Sequence, residues 1–160
     1  GCAYAAETLE EALLLSDLVT GVTHNHPEGM LGARAVTATT FLARQGKSKE
    51  EIRRYIVENF YPLDFTIGEI QNDYWKGRGL GTCGNSIPQA LQAFFESTDF
   101  ESAISLAVGL GGDTDTLGAM VGAPAGAYYG VPVETAEKVE TYLTEDLRKA
   151  IAGFESRFSP

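Results

Sequence analysis

Apolar residues recur at helical spacing along most of this sequence, and the alternating pattern of strands is nearly absent. Thr8 and Glu11 form a capping-box pattern, and the apolar positions that follow predict a first helix over 9–20. The next apolar series predicts a helix over 28–45, which Gly46 ends. The first third of the chain is therefore expected to be helical.

The middle of the chain contains one strongly predicted helix followed by a long irregular stretch. Ser48 and Glu51 form a second capping-box pattern, opening a helix that runs through Ile56 and ends before Pro62. Residues 61–85 show no sustained period and are rich in glycine. A loop of that length in a compact domain is usually functional or mobile, so it could be a lid.

Four or five further helices complete the predicted pattern. Ser86 and Asp99 open two of them, and the glycine-rich residues 109–112 then break the chain. A helix over 114–129 follows, and 135–154 predicts one or two amphipathic helices on the outside. The pattern as a whole predicts an all-α chain in which residues 1–160 form a single domain.

The helix predicted over 114–129 carries glycine and alanine on every side. Such a helix can approach its neighbours closely, so it is expected to be buried. Pro124 within it predicts a kink, because proline removes one helical hydrogen bond and its ring displaces the preceding turn.

Composition and charge limit the kinds of partner and the cellular location that this protein can have. The net charge of −10 comes from 22 acidic and 12 basic residues and disfavours nucleic acid and anionic lipid as partners. No apolar stretch is long enough to span a bilayer, and the N-terminus lacks the pattern of a signal peptide. Two distant cysteines, Cys2 and Cys83, favour reduced thiols and a cytoplasmic location.

The motif GGDTDT carries the first candidate chemistry. Asp113, Asp115 and Thr116 place oxygen ligands at the start of one predicted helix, which suits a hard cation such as Mg²⁺. Ordinary capping is a strong alternative from the spacing alone, because aspartate at an N-cap with another acid in the first turn is common. An EF-hand is excluded, because Leu117 and Pro124 stand where that loop needs a polar ligand and a glutamate.

Another interpretation of DTDT is the nucleophile loop of haloacid-dehalogenase-like phosphatases, in which the first aspartate attacks phosphorus. That loop follows a parallel strand, whereas AISLAVGLGG is spaced like a helix. The phosphatase interpretation is therefore the weaker one.

The stretch THNHPEG, between two predicted helices, carries both histidines of the chain. His24 and His26 could bind zinc together with Cys2 or Cys83, or they could be structural. A third interpretation places His24 and the N-terminus of the helix that follows around a phosphate group. In the predicted loop, Arg78 could also reach a phosphate, and the aromatic residues Trp75, Tyr74 and Tyr61 could stack on a base or pack the loop against the helices.

Two longer stretches resemble a known family. THNHPEGMLGARAVTATTFLARQGKSKEEIRRYI and SIPQALQAFFESTDFESAISLAVGLGGDTDTLGAMVGAPAGAYYGVP are similar to the ADP-ribosylglycohydrolases, the relatives of dinitrogenase-reductase-activating glycohydrolase. The resemblance implies an orthogonal helical bundle with a dinuclear Mg²⁺ or Mn²⁺ site that cleaves ADP-ribosyl bonds of a modified protein or small molecule. It further implies that Asp113, Asp115 and Thr116 bind metal and that His24 lines the ADP-ribose site.

The sequence departs from the family pattern at its start. No threonine-aspartate-aspartate ligand segment is present, and Gly1 resembles a position well inside a typical member. The resemblance therefore implies a C-terminal portion that holds half of the metal site, as a fragment, a cleavage product or a natural truncation. No catalytic acid or base is assigned within it, and an inactive binding or self-associating module stays open as the alternative.

Overall fold

The computed structural model describes residues 1–74 and 82–158, and within these ranges it contains helices and no strand. The predicted all-α class is confirmed. The α-helices in chain order are α1 (Cys2–Ala5), α2 (Leu9–Thr20), α3 (Pro27–Arg44), α4 (Lys49–Asn59), α5 (Ile67–Ile70), α6 (Ile87–Glu96), α7 (Phe100–Val108), α8 (Thr114–Tyr129), α9 (Val133–Glu140) and α10 (Glu145–Phe158). A short 3-10 helix, Cys83–Asn85, precedes α6.

Helix α3 is the centre of the fold and packs against α1, α2, α4, α6 and α8. Its buried face is built from small residues, so its neighbours come close. A Cβ added at Gly32 would lie 3.0 Å from Cγ1 of Ile87 on α6. The buried hydroxyls of Thr39 and Thr40 donate to carbonyls one turn earlier, each at 2.8 Å, which satisfies them inside the core.

Helices α3, α6 and α8 run side by side in the same direction. Gly32, near the start of α3, lies against Ile87 at the start of α6. At the far end, the ring of Phe94 on α6 lies 6.4 Å from that of Tyr129 at the end of α8. The three helix N-termini therefore share one end of the bundle.

The opposite end of these helices is closed by Lys49, the first residue of α4. Its ammonium donates to the Ser97 carbonyl at the C-cap of α6 and lies 5.0 Å from the ring centroid of Tyr129. The Tyr129 hydroxyl donates to the same carbonyl at 2.9 Å. The cation and the hydroxyl thus satisfy a helix end whose carbonyl has no partner within α6.

Most of the predicted helix starts are confirmed, down to their capping bonds. Thr8 accepts a hydrogen bond from the Glu11 amide at 3.2 Å, and Ser48 with Glu51 forms a complete capping box. Asp99 also forms a complete capping box at the start of α7. Ser86 precedes α6 as predicted, but its side chain makes no capping bond.

Two features differ from the sequence-based prediction. Helix α8 has the predicted bounds, but burial is confined to a stripe of Leu117, Val121, Pro124 and Ala125, and Ala119 and Ala123 are exposed. The reason is that neighbours cover only one side of this helix. In the segment predicted to be irregular, Thr66 and Glu69 form a capping box that opens the short helix α5.

Helices α9 and α10 confirm the prediction of amphipathic helices over 135–154, but they contain no buried residue. The large apolar side chains Leu147 and Ile151 of α10 are 52% and 43% exposed. The described part of this chain therefore covers these apolar side chains only in part.

Two predictions from composition can be compared with the structure. Cys2 and Cys83 are both free thiols, as expected. Within the described ranges, no helix is both long and apolar enough to cross a bilayer.

Candidate functional site

The candidate site lies at the end of the bundle where α3, α6 and α8 begin. Exposed backbone amides at helix N-termini attract anions, and three parallel helices place three such ends on one face of the molecule. The segments that lead into these helices carry THNHPEG before and at the start of α3, Cys83–Asn85 before α6, and GGDTDT before and at the start of α8.

A glycine pair sets the direction in which the chain enters α8. Gly111 and Gly112 have φ of +79° and +73°, in the left-handed region that other residues rarely adopt. This turn leads the chain from α7 into α8 and leaves Asp113 and Asp115 exposed. Since residues Phe100–Val108 before it form a helix, the strand that a phosphatase loop requires does not precede Asp113. The phosphatase interpretation is therefore wrong on its structural premise.

Asp113 occupies the N-cap of α8 without acting as a cap. Its side chain accepts no hydrogen bond from the amides of the first turn. Asp115 accepts a bond from the Thr116 amide at 2.8 Å. The pKa of the Asp115 carboxyl is lowered, first by a hydrogen bond with the Asp113 side chain and then by the Thr116 amide. The ordinary capping interpretation therefore does not account for Asp113.

His24 and His26 lie on the exposed approach to α3. The Nδ1 atom of His24 is 2.8 Å from the Thr23 hydroxyl, and Nδ1 of His26 accepts from the Glu28 amide at 3.3 Å. His26 is thus the N-cap of α3, a structural role. Gly29 lets the loop lie close to the helix, because a Cβ there would be 3.0 Å from the His24 carbonyl oxygen.

Tyr74 is hydrogen-bonded to the segment that leads into α6. Its hydroxyl donates to the Asn85 carbonyl at 2.6 Å. Burial raises the pKa of Tyr74, and the negative charge of Asp113 adds a smaller contribution in the same direction. The sequence named Tyr74 only as a residue that could stack on a base or pack the loop against the helices, and its irregular segment gave no reason to connect it with Asp113. Trp75 and Arg78, candidates from the same segment, lie outside the described residues.

The structure brings the sequence-predicted ligands together only in part. Asp113, Asp115 and Thr116 share one turn, whereas His24 lies before another helix at the same end of the bundle. Across residues 1–74 and 82–158, no three histidine, cysteine or acidic side chains are arranged to hold a metal. The zinc interpretation with Cys2 or Cys83 therefore finds no support, and magnesium binding by the aspartates stays a prediction.

Comparison with known proteins decides the family. The family model described as ADP-ribosylglycohydrolase matches residues 1–158, nearly the whole chain. The chain belongs to the ADP-ribosylglycohydrolase family. The resemblance noted from THNHPEG and GGDTDT is thereby confirmed.

Individual members of the family show how far the similarity extends. The chain is 36% identical over 124 residues to ADP-ribosylarginine hydrolase Tri1 of Pseudomonas putida (strain GB-1), covering 74% of this chain and 33% of that protein. It is 25% identical over 146 residues to ADP-ribosyl-[dinitrogen reductase] glycohydrolase of Rhodospirillum rubrum, covering 81% of this chain and 44% of that one.

A solved structure gives the same result for the fold. A chain of an ADP-ribosylglycohydrolase-related protein complex aligns with a TM-score of 0.65 and 28% identity, over 85% of this chain and 50% of the solved chain. The glycohydrolase-type helical bundle is thus shown. The matched region spans half of the solved chain and less than half of each curated relative.

Proposed function

We propose that this chain forms one side of a metal-dependent site that hydrolyses ADP-ribosyl glycosidic bonds. The main support for the proposal is that the exposed Asp113 carboxylate lies at the N-cap of α8 and makes no capping bond there. The second support is that the chain belongs to this family. The substrate class is an ADP-ribosylated protein or an ADP-ribose-containing small molecule, in keeping with the names of the relatives.

The donor set fits a hard divalent cation. Asp113 and Asp115 supply carboxylate oxygens within a single turn, and Thr116 adds a hydroxyl, which are the ligands that Mg²⁺ and Mn²⁺ prefer. When both carboxyl groups are deprotonated they repel each other, and a cation between them offsets that repulsion. We propose that these three residues hold one side of a dinuclear site and that the region of the relatives beyond the match supplies the other.

The chemistry follows from these positions. When bound, the cations supply positive charge that offsets the charge developing as the glycosidic bond breaks. Asp113 and Asp115 would bind the cations at the start of α8. His24 and the backbone amides at the start of α3 would bind the diphosphate. No residue of this chain is assigned as catalytic acid or base.

A direct assay tests the proposal. The purified protein is incubated with ADP-ribosylarginine and Mg²⁺, and released ADP-ribose is measured by mass spectrometry. We expect Mg²⁺ and ADP-ribose to bind, and any release to be abolished by EDTA and restored by Mg²⁺ or Mn²⁺. Mg²⁺ and ADP-ribose affinities are measured separately by calorimetry, since binding without release indicates a half-site that needs its complement. Absence of both release and binding would reject the proposal.

A second candidate function is a binding or self-associating module. It is favoured by exposed apolar side chains, such as Leu18 on α2 at 63%, Val22 in the turn after α2 at 82%, and Leu147 on α10 at 52%. Exposed apolar surface of this kind marks interaction sites. Sedimentation over a range of concentrations tests the alternative, which predicts a dimer or larger species, and a monomer at every concentration contradicts it.

A further inference from the structure

The last helix, α10, has little cover from the rest of the fold. It spans 14 residues, Glu145–Phe158, and none of them is buried. An isolated helix of this length is marginal in water, and helices of folded proteins are stabilised mainly by packing of their apolar face. Helix α10 therefore needs more cover for that face than the described part of this chain provides.

The apolar face of α10 is a continuous stripe. Leu147, Ile151, Phe154 and Phe158 follow one another at steps of four, three and four residues, which places them on one side of the helix. The first two side chains are about half exposed, and the last two are half-buried with their rings 4.8 Å apart. The stripe thus presents apolar side chains to solvent along most of the helix.

A groove of about 500 Å³ lies between this stripe and the first residues of the chain. Its lining includes Gly1 and Tyr4 together with Leu147, Ile151 and Phe154 of α10. Since Leu147 and Ile151 are about half exposed, the groove opens to the surface. A contiguous apolar surface of this kind is typical of a contact with another protein.

Two opposite charges flank the stripe on the same side of α10. Arg148 and Glu155 are exposed and seven residues apart, close to two full turns, so they lie about 10 Å apart along the helix axis and cannot pair within one chain. Among the described residues neither has an ionic partner, since the nearby Lys149 pairs with Glu145 at 2.7 Å. Arg148 donates to the Leu143 carbonyl at 2.7 Å and keeps further N–H groups for a carboxylate.

We propose that two copies of this chain associate through α10, with the two helices antiparallel about a twofold axis. The apolar stripes then face each other, as an isologous interface requires. Arg148 of each copy lies beside Glu155 of the other, because the midpoint between these two residues is close to the midpoint of the stripe.

The same charges decide between the two directions of pairing. In a parallel pair Arg148 would face Leu143 of the other copy, and Glu155 would face Ala150, so neither charge would gain a partner. The antiparallel pair satisfies both charges twice, once on each side of the axis. A second copy therefore supplies the apolar cover and the ionic partners together.

This dimer is a specific form of the self-association that the second candidate function predicts, and it does not depend on the metal site. A single pair of helices is smaller than the interface of a permanent dimer. We therefore expect a weak dimer that dissociates on dilution.

Sedimentation equilibrium of the whole chain over a range of concentrations tests the charge pairs. We expect R148E and E155R each to raise the dissociation constant of the dimer about 3–30-fold, because each replaces two attractive pairs by two repulsive ones. The combined variant R148E/E155R restores the pairs in reverse, and its dissociation constant should lie within about threefold of the wild type. Because the two residues do not touch within one chain, only contact between copies can produce this rescue.

A leucine pair tests the apolar stripe. L147A should raise the dissociation constant about 10-fold or more, since each dimer loses two buried side chains. The matched control is L18A, which removes an exposed leucine from α2 and should dimerise as the wild type does. Circular dichroism of the dilute variants checks that the exposed substitutions leave the helices intact.

Two results would overturn the inference. One is a wild type that stays monomeric at every concentration, which also contradicts the second candidate function. The other is a dimer that the single charge exchanges do not weaken or that the combined exchange does not restore. In that case the self-association of the second candidate function stands, but it does not involve antiparallel α10 helices.

Discussion

Two consecutive helices, α7 and α8, both have an aspartate at the N-cap, and the two aspartates make different contacts. Asp99 accepts a hydrogen bond from the Ser102 amide at 2.7 Å, while the Ser102 hydroxyl accepts one from the Asp99 amide at 3.0 Å. Asp113 makes no such bond with α8. The same residue at the same helix position thus stabilises the fold in one case and is left available in the other.

The backbone explains the difference. Asp99 is extended, with φ −156° and ψ 179°, which directs its carboxylate back to the amides of α7. Asp113 has φ −82° and ψ 72°, after two glycines of positive φ. This turn prevents the usual capping geometry, and the carboxylate stays exposed beside Asp115. An aspartate at a helix start is therefore a candidate ligand when the chain before it prevents it from capping.

The largest expected effect is on metal binding by Asp113. We expect D113A to weaken Mg²⁺ affinity and any hydrolytic activity by at least about 10–100-fold, since losing even indirect partners of a metal has effects of that size. Its Tm without metal should stay within about 1 °C of the wild type, because no capping bond is lost. Calorimetry, the ADP-ribose release assay and thermal unfolding provide the measurements.

The matched control for D113A is D99A, which makes the same chemical change at the preceding helix. It should leave Mg²⁺ affinity and activity unchanged. Equal Mg²⁺ affinities in D113A and the wild type would show that the assignment of Asp113 as a ligand is wrong.

The next largest effect is expected from the Gly111–Gly112 turn, which precedes Asp113 and has no counterpart before Asp99. We expect G112A to lower the Tm by about 2–8 °C, because a left-handed conformation costs about 1–2 kcal/mol for a residue with a Cβ. It should also weaken Mg²⁺ binding by displacing Asp113. Gly153, in the exposed helix α10 with open space around it, is the control position. G153A should keep or raise the Tm, and a G112A variant as stable as the wild type would contradict the role given to the turn.

A smaller effect is expected from the capping aspartate. D99A should lower the Tm by about 2–4 °C, the usual result of losing an N-cap side chain in a protein of this size. Thermal unfolding at neutral pH measures it. A Tm equal to that of the wild type would mean that the Asp99–Ser102 capping box does not stabilise α7.

The smallest expected effect is the pH dependence of the stability that the Asp99 cap gives to α7. The Ser102 backbone amide, followed by its side chain, lowers the pKa of Asp99 from its ordinary value of 3.8. A carboxyl with a lowered pKa in the folded state stabilises the protein above its unfolded value and loses that contribution as the pH falls through the folded value. The Tm difference between wild type and D99N should therefore be constant above about pH 5 and shrink below pH 3.8. A difference that grows at acid pH would contradict this sign.

Local sequence determined most of the helices. Thr8, Ser48 and Asp99 identify helix starts because a capping residue and its partner three positions later need only local geometry. The same reasoning identified GGDTDT as a possible ligand set, since the relevant spacing lies within one turn. It failed for Thr66 and Glu69, whose helix is too short to show an apolar period.

Tertiary structure decided what those elements do. The sequence of α8 is small on every side, but only packing determined that one stripe is buried and that Ala119 and Ala123 are exposed. The amphipathic pattern of α10 predicted the helix and said nothing about a partner, and the described residues leave Leu147 and Ile151 on its apolar face about half exposed.

The site shows the same division between local and long-range information. The residue types of Asp113, Asp115 and His24 were enough to suggest metal and phosphate chemistry. Only the parallel packing of α3, α6 and α8 places their starts at one end, with Tyr74 bonded to the α6 start and near Asp113. Local hydrogen bonding acts over three or four residues, so the sequence determines the helices and their caps. Which residues meet across the bundle depends on side-chain packing between distant segments, and only the tertiary structure decides that.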